Sequence, residues 1–367
     1  MTIKMPEDST AHAPAGAAAT LDLEVRSTKR RLADSQPTTR MGQWKEDLYY
    51  VRGRGALEIS VVYLLILIGF TVMSLRNATD FPFFSSFNLS GVLSQNIPVL
   101  AVLAIGAGVL MIAGEFDLSL GAAIGFSAIV FIRVANAHGW PLAFIAALAS
   151  AIGIALANGF IVVLTRIPSF IATLGMSFFW TGASIYVNGL TPAVLVEDGH
   201  HTGVSVFAGN HGYFRSQLIW LIVIGVVAWF LLHRHRLGNK VYAVGGNAAA
   251  AKAVSIKPNV VRLQAFAFMG LMVGIASVLI AVRTADMQPG TTGDYTLLAI
   301  AAAVVGGCSL TGGRGSVWGM VIGAALILTI ENGLLLGKAP GFYVQLFLGV
   351  SIVVAAVFNK FMEGKAT

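Results

Sequence analysis

Charge is what this sequence has least of: 11% of its 367 residues are Asp, Glu, Lys or Arg, against 56% that are apolar. Soluble domains carry about 25% charge, so the chain lacks the polar material to cover a globule in water. Its mean hydropathy of +0.78 points the same way. Lipid is the implied solvent. Cysteine is nearly absent as well; Cys308 stands alone, which excludes an intramolecular disulfide and reads as a small packing residue in a Gly/Ala-rich segment. Nucleotide- and metal-hydrolase motifs are also missing. Gly337-Lys338 is followed by Ala339, and Gly333 stands one residue too close for a phosphate-cradling loop. Neither HExxH nor GxGD occurs, and Gly203-Val-Ser-Val-Phe207 lacks the second glycine of a nucleophile elbow. The chain is therefore expected to be no enzyme and to bind neither ATP nor metal by itself.

What is present is a string of apolar segments behind a polar start. Residues 1–55 hold nine Lys/Arg and seven Asp/Glu, with no apolar core of signal-peptide length, and read as a disordered cytoplasmic tail. Beyond it, ten segments approach the roughly 20 apolar residues that cross a bilayer core about 30 Å thick. They lie near 57–75, 91–113, 119–137, 142–164, 169–189, 217–232, 262–282, 295–311, 316–336 and 342–359. Three of them, 91–113, 169–189 and 295–311, contain breakers and are expected to be broken or re-entrant. The expected fold is an all-α polytopic membrane protein of about ten transmembrane helices, with a permease domain over 56–360 and a short cytoplasmic tail at 361–367.

The formal charge of +7 is no nucleic-acid footprint, because the basic residues sit in the tail and in short loops. Ten spans with a cytoplasmic start put nineteen Lys/Arg inside, and leave Arg76, Arg133, Arg215, Arg283 and Lys338 outside. The sign is that of the positive-inside rule, and both termini are expected to be cytoplasmic. The exterior loop near 190–216 carries His200, His201 and His211. Their spacing fits no compact zinc motif, and a solvated loop facing a soluble partner is the plainer account.

Four stretches carry chemistry. In Gly114-Glu-Phe-Asp-Leu-Ser-Leu-Gly121 two carboxylates interrupt an apolar region. Asp117 is either a helix cap or a group that meets solute. The stretch 233–261 has basic residues, no acid, a Gly245-Gly246-Asn247 turn and then an Ala-rich helix, a pattern that suits a rigid docking knob or a loop over anionic lipid. Gly306 to Ser316 is rich in glycine, which allows sharp turns and close helix packing; Gly312, Gly313 and Gly315 belong here, as do Gly114 and Gly121 in the first stretch. Glu331-Asn332-Gly and Asn158-Gly place polar groups inside spans, where they glue helices together or meet a passing polyol. Candidates for lining a pathway are Asn96, Asp117, Asn158, Phe170, Glu331 and Asn332. An internal echo suggests two pseudo-repeated halves. Gly114, Gly121 and Gly125 share their spacing with Gly312, Gly319 and Gly323, and Asn158-Gly…Gly175 matches Asn332-Gly…Gly349.

At these residues the chain resembles the permeases of ribose- and xylose-type ATP-binding-cassette sugar importers. The likeness covers about 57–360 and rests on Gly114–Gly121, on Ile167-Pro-Ser-Phe-Ile-Ala-Thr-Leu-Gly175, on Tyr242-Ala-Val-Gly-Gly-Asn247 and on the glycine stretch through Ser316. It implies a pathway formed with a second permease copy or a paralogous permease, a cytoplasmic ATPase pair that binds the ATP, and a periplasmic solute-binding protein, all at a bacterial inner membrane. It implies ATPase coupling through Gly245, Gly246, Asn247, Ala250, Lys252 and Ser255. The chain departs from the family pattern at Ala248 and Ala249, where acids are usual, at Ser255, where glycine is usual, and at Thr296 and Leu298, where Glu and Asp are usual. The rival is an ion-coupled secondary transporter with Glu331 as its carboxylate.

Overall fold

The computed structural model describes residues 56–196, 205–211 and 214–364; the expected N-terminal tail, Glu197, Asp198, His200 and His201 lie outside them. The described chain is almost all helix. Helix α1 (Ala56–Arg76) leads to a π-helical turn (Phe87–Leu93) that runs into α2 (Ser94–Ile112). Then come α3 (Leu120–His138), α4 (Trp140–Thr165) and α5 (Ser169–Asn188). After β1 (Ala193–Val194), α6 (Ser205–Ala208), β2 (Asn210–His211) and β3 (Phe214–Arg215) follow α7 (Ser216–His233), α8 (Arg236–Gly246), α9 (Ala248–Ala253) and α10 (Pro258–Thr284). Strand β4 (Asp286–Met287) precedes α11 (Asp294–Val305), α12 (Val317–Leu336) and α13 (Gly341–Gly364). Eight of these helical runs are long and apolar enough to span; α11 and the apolar part of α13, Gly341–Ser351, are shorter.

Every segment expected to span has a helix, but the breaks fall differently. Segment 169–189 is one unbroken helix, α5. Segment 91–113 keeps its helix through Pro98, and its irregularity is the π-turn at its head. Pro98 lies inside the continuous run Phe87–Ile112, where its missing N–H leaves the Ser94 carbonyl without its usual helical donor. Segment 295–311 is cut short: α11 stops at Val305, because the glycines from Gly306 onward take the chain out of the helix. The Gly-Gly of the basic stretch is also not a loop; it is the last turn of α8.

Helices α2 and α10 form the centre, α10 against α4, α2 and α3, and α2 against α11, α12 and α7. Lipid offers no hydrophobic drive between helices, so small residues supply the close fit. A methyl added at Gly270 on α10 would lie 2.8 Å from Ala155 Cβ on α4. Helix α1 packs on α12, α13 on α11 and α12, and α5 on α3 and α4. At one end β1 pairs antiparallel with β4, Ala193 opposite Met287, and Phe207 of α6 is buried among Trp140, Phe144 and Trp220. At the other, α8, α9, the α2–α3 loop and the glycine loop 306–316 come together: the glycine end.

The first glycine echo aligns α3 with α12, each following a glycine loop. The second aligns α4 with α12, so the two cannot belong to one repeat register.

Candidate functional site

At the glycine end three of the four stretches, joined by Asn158 from the fourth, become two contacts. In the first, Asp117 Oδ1 accepts hydrogen bonds from the Ser119 N–H and hydroxyl, both at 2.6 Å. Its Oδ2 accepts from Asn158 Nδ2 at 3.1 Å, and the same amide nitrogen donates to Ser119 Oγ at 2.6 Å. Trp180 Nε1 donates to Asn158 Oδ1 at 3.4 Å. Burial raises the Asp117 carboxyl, opposed by the bonds from Ser119 and Asn158. Beside it Phe116 N–H donates to Ser169 Oγ at 3.0 Å, and Leu118 N–H to Thr173 Oγ1 at 2.9 Å. The loop is thus fastened to the start of α5, while Glu115 pairs with Arg262 of α10 at 3.0 Å.

In the second contact backbone meets backbone. Gly114 and Gly312 both sit in the left-handed region, φ +86° and +90°, where only glycine is unstrained. A Cβ on Gly245 would collide with the Ile112 carbonyl, and one on Gly312 would stand 2.9 Å from Gly245 O and 3.1 Å from Gly114 Cα. A Cβ on Gly313 would stand 2.8 Å from Gly246 Cα. The Gly313 N–H donates to Ile112 O at 2.9 Å. The end of α8 is therefore wedged between the end of α2 and the loop entering α12, with no side chain in the joint. Gly315 is closed in by Cys308 Sγ and Ile112. Gly121 donates through its N–H to Thr296 Oγ1 at 2.8 Å and accepts from Thr292 Oγ1 at 2.6 Å; Thr296 thus pins α3 to α11.

Asn247 caps α9, its Oδ1 accepting from the Ala250 N–H at 3.0 Å. Lys252 is exposed, and Ser255 ends the knob at φ +64°, a left-handed conformation that favours glycine. The remaining pathway candidates scatter. Asn332 on α12 exchanges amide hydrogen bonds with Asn88 of the π-turn at 2.7 and 3.0 Å. Asn96 accepts a hydrogen bond from Arg283. Glu331 is half-buried, and Phe170 on α5 is 54% exposed. Among the described residues no cluster of His, Cys, Asp or Glu could hold a metal; His211 instead bonds Ser216 Oγ at 3.1 Å. Arg262, Asn88, Ser169 and Thr173 were not singled out from the sequence. Each is an ordinary polar residue until its partner, far away in the chain, is known.

An all-α body that crosses the membrane many times, with a basic knob built into one end, has the make-up of a transporter's membrane subunit. The chain belongs to the family described as branched-chain amino acid transport system / permease component, whose pattern matches residues 88–356. It is 32% identical over 322 residues to the ribose import permease protein RbsC of Escherichia coli (strain K12), covering 85% of this chain and 96% of that one. It is 30% identical to the ribose import permease protein RbsC of Bacillus subtilis (strain 168), covering 83% and 94%. Likeness to the autoinducer 2 import system permease protein LsrC of Enterobacter sp. (strain 638) is 30%, covering 81% and 85%. It is a multi-pass permease subunit.

Proposed function

We propose that this chain forms the translocation path of a binding-protein-dependent importer for a sugar or similar small polar solute, driven by a separate ATPase. The observation that carries this reading is the joint at Gly245. A short basic knob, α8–α9, projects from the bundle while its root touches the ends of both α2 and the α11–α12 loop. A push on the knob therefore reaches both halves at once, as alternating access requires. The ATPase docks on Asn247, Ala250, Lys252 and Ser255 and holds the ATP; the permease needs no cofactor of its own. The glycine end is cytoplasmic, since α7 to α10 bring Arg234, Arg236, Lys240, Lys252, Lys257 and Arg262 there, with Arg166 and Arg314 at other loops of the same end. The opposite end faces the periplasmic binding protein, at the bacterial inner membrane.

Two copies make the path. Asp117, Asn158 and Asn332 spend their hydrogen bonds inside one copy. Helix α5 leaves Phe170, Phe178 and Phe179 exposed and has open space at Gly175 and Gly182, which suits a facing second copy better than a finished surface. Ribose is the first solute to try, following the relatives; a branched-chain amino acid is the second, following the family's description. The test is uptake of radiolabelled ribose and leucine into proteoliposomes holding permease, ATPase and binding protein. ATP-dependent ribose uptake is expected. Uptake that persists without the ATPase sinks the importer reading in favour of ion coupling.

A further inference from the structure

The knob and the glycine loop are joined by more than backbone contact. Tyr242, one turn before Gly245 and Gly246, donates its hydroxyl to the Gly315 carbonyl at 2.7 Å. The next residue, Ser316, caps α12 by accepting from the Gly319 N–H at 3.1 Å. The one after, Val317, donates its N–H to His233 Nε2 at 3.4 Å. Three consecutive residues at the entry to α12 are thus held, the first by α8 and the third by the end of α7. The rings of His233 and Tyr242 lie 6.3 Å apart, close enough to brace one another. A tyrosine has two rotatable bonds before a stiff ring, so it transmits displacement where a long flexible side chain would absorb it.

We propose that Tyr242 is the strut that makes the knob and the 312–317 segment move as one body, carrying thrust from α8 into α12. The proposal rests on the coupling reading above and assigns the route. Tyr242 is a positioning residue: it touches neither solute nor nucleotide. A purely structural tyrosine would give a different result. Losing one buried hydroxyl would then lower the melting temperature slightly and leave the work extracted from each ATP unchanged.

The experiment uses Tyr242→Phe, which removes only the hydroxyl, in a Cys308→Ala background with spin labels at the exposed positions Val254→Cys and Leu310→Cys. In the permease alone, in lipid nanodiscs, with doubly labelled chains diluted into an excess of unlabelled ones so that each pair of copies holds one labelled chain, the parental protein is expected to give one narrow label-to-label distance and Tyr242→Phe a broadened one. In the reconstituted complex, solute taken up per ATP hydrolysed is expected to fall by up to about tenfold, the most that one buried hydrogen bond can shift the balance between coupled and uncoupled states. An unbroadened distance in Tyr242→Phe, or an unchanged solute-to-ATP ratio, overturns the strut. If parental uptake needs no ATP, the coupling reading fails, while the nanodisc distance still judges the strut by itself.

Discussion

Single residues at the glycine end sit in backbone states that forecast the effect of replacing them. Ser255 holds φ +64°, which costs a side-chain-bearing residue roughly 1 kcal/mol relative to glycine. Ser255→Gly is expected to raise stability by about 0.5–1 kcal/mol, read as a higher thermal midpoint in detergent. Gly245 is the opposite case. Its missing side chain is filled by the Ile112 carbonyl, so Gly245→Ala should cost about 2 kcal/mol or more and lower the same midpoint. Ionisation gives a third handle. Burial pushes the Cys308 thiol up to about 12 and raises the Tyr242 hydroxyl too. Both groups are neutral in the fold and lose their protons more easily when unfolded, at about 8.5 and 10. Their contribution to stability is therefore complete below about pH 8 and is lost as pH rises toward 12. Thermal midpoints should fall steadily above pH 9, and Cys308 should resist maleimide at pH 7–9 until the protein is denatured. Prompt labelling of the native protein would contradict the buried thiol.

Between elements, the Asn88–Asn332 exchange ties the π-turn to α12 with two amide hydrogen bonds. Both groups are buried, so removing one strands the other. Asn88→Ala and Asn332→Ala should each cost about 1–3 kcal/mol and the double variant little more, so the coupling in a double-mutant cycle should approach the cost of one single variant, about 1–3 kcal/mol. The exposed Asp80–Lys338 pair at 3.6 Å, with side chains 64% and 79% exposed, is the contrast: Lys338→Ala should change stability by under about 0.5 kcal/mol.

This is also the scale at which the sequence is readable and then stops being so. Apolar length marks the eight long helices, because a bilayer sets a minimum length for a span. The glycine stretches could be seen too, since residue type alone signals them, but the helix cap expected at Asp117 is not formed: Ser119 stands at the N-cap of α3 without a side-chain cap bond, and Asp117 instead closes the turn before it on the Ser119 N–H. What Asn332 or Thr296 touches could not be seen, because an amide or a hydroxyl is the same letter whether it binds solute or a helix 244 or 175 residues away. The end of α11 at Val305 was missed because the apolar signal runs on past the glycines that end the helix. Gly245-Gly246 read as a turn for a similar reason: local propensity favours a loop, and packing against Ile112 and Gly313 keeps it helical.

For the whole molecule, the order of helices assigns each loop to one of two ends, and charge assigns each end to a side. Single cysteines placed at Val254 and Leu310 should label only from the cytoplasmic side of intact cells, and one at Lys338 only from outside. Labelling of all three from one side would break the ten-segment thread. A second consequence belongs to assembly. Since α5 packs mainly on α3 and α4, cross-links formed in native membranes between copies should favour positions such as Phe178 over the buried face at Ala172 and Thr173.

The glycine joint has a further, genetic consequence. Most harmful substitutions can be compensated by trimming a neighbour, but at 114, 312 and 313 the neighbours of Gly245 have nothing left to trim. Selection for revertants of Gly245→Ala should return the original codon or changes remote from the joint, and never a smaller residue across the contact. Three distant parts of the chain are locked into one hereditary unit because all of them have already reached the smallest size that chemistry offers.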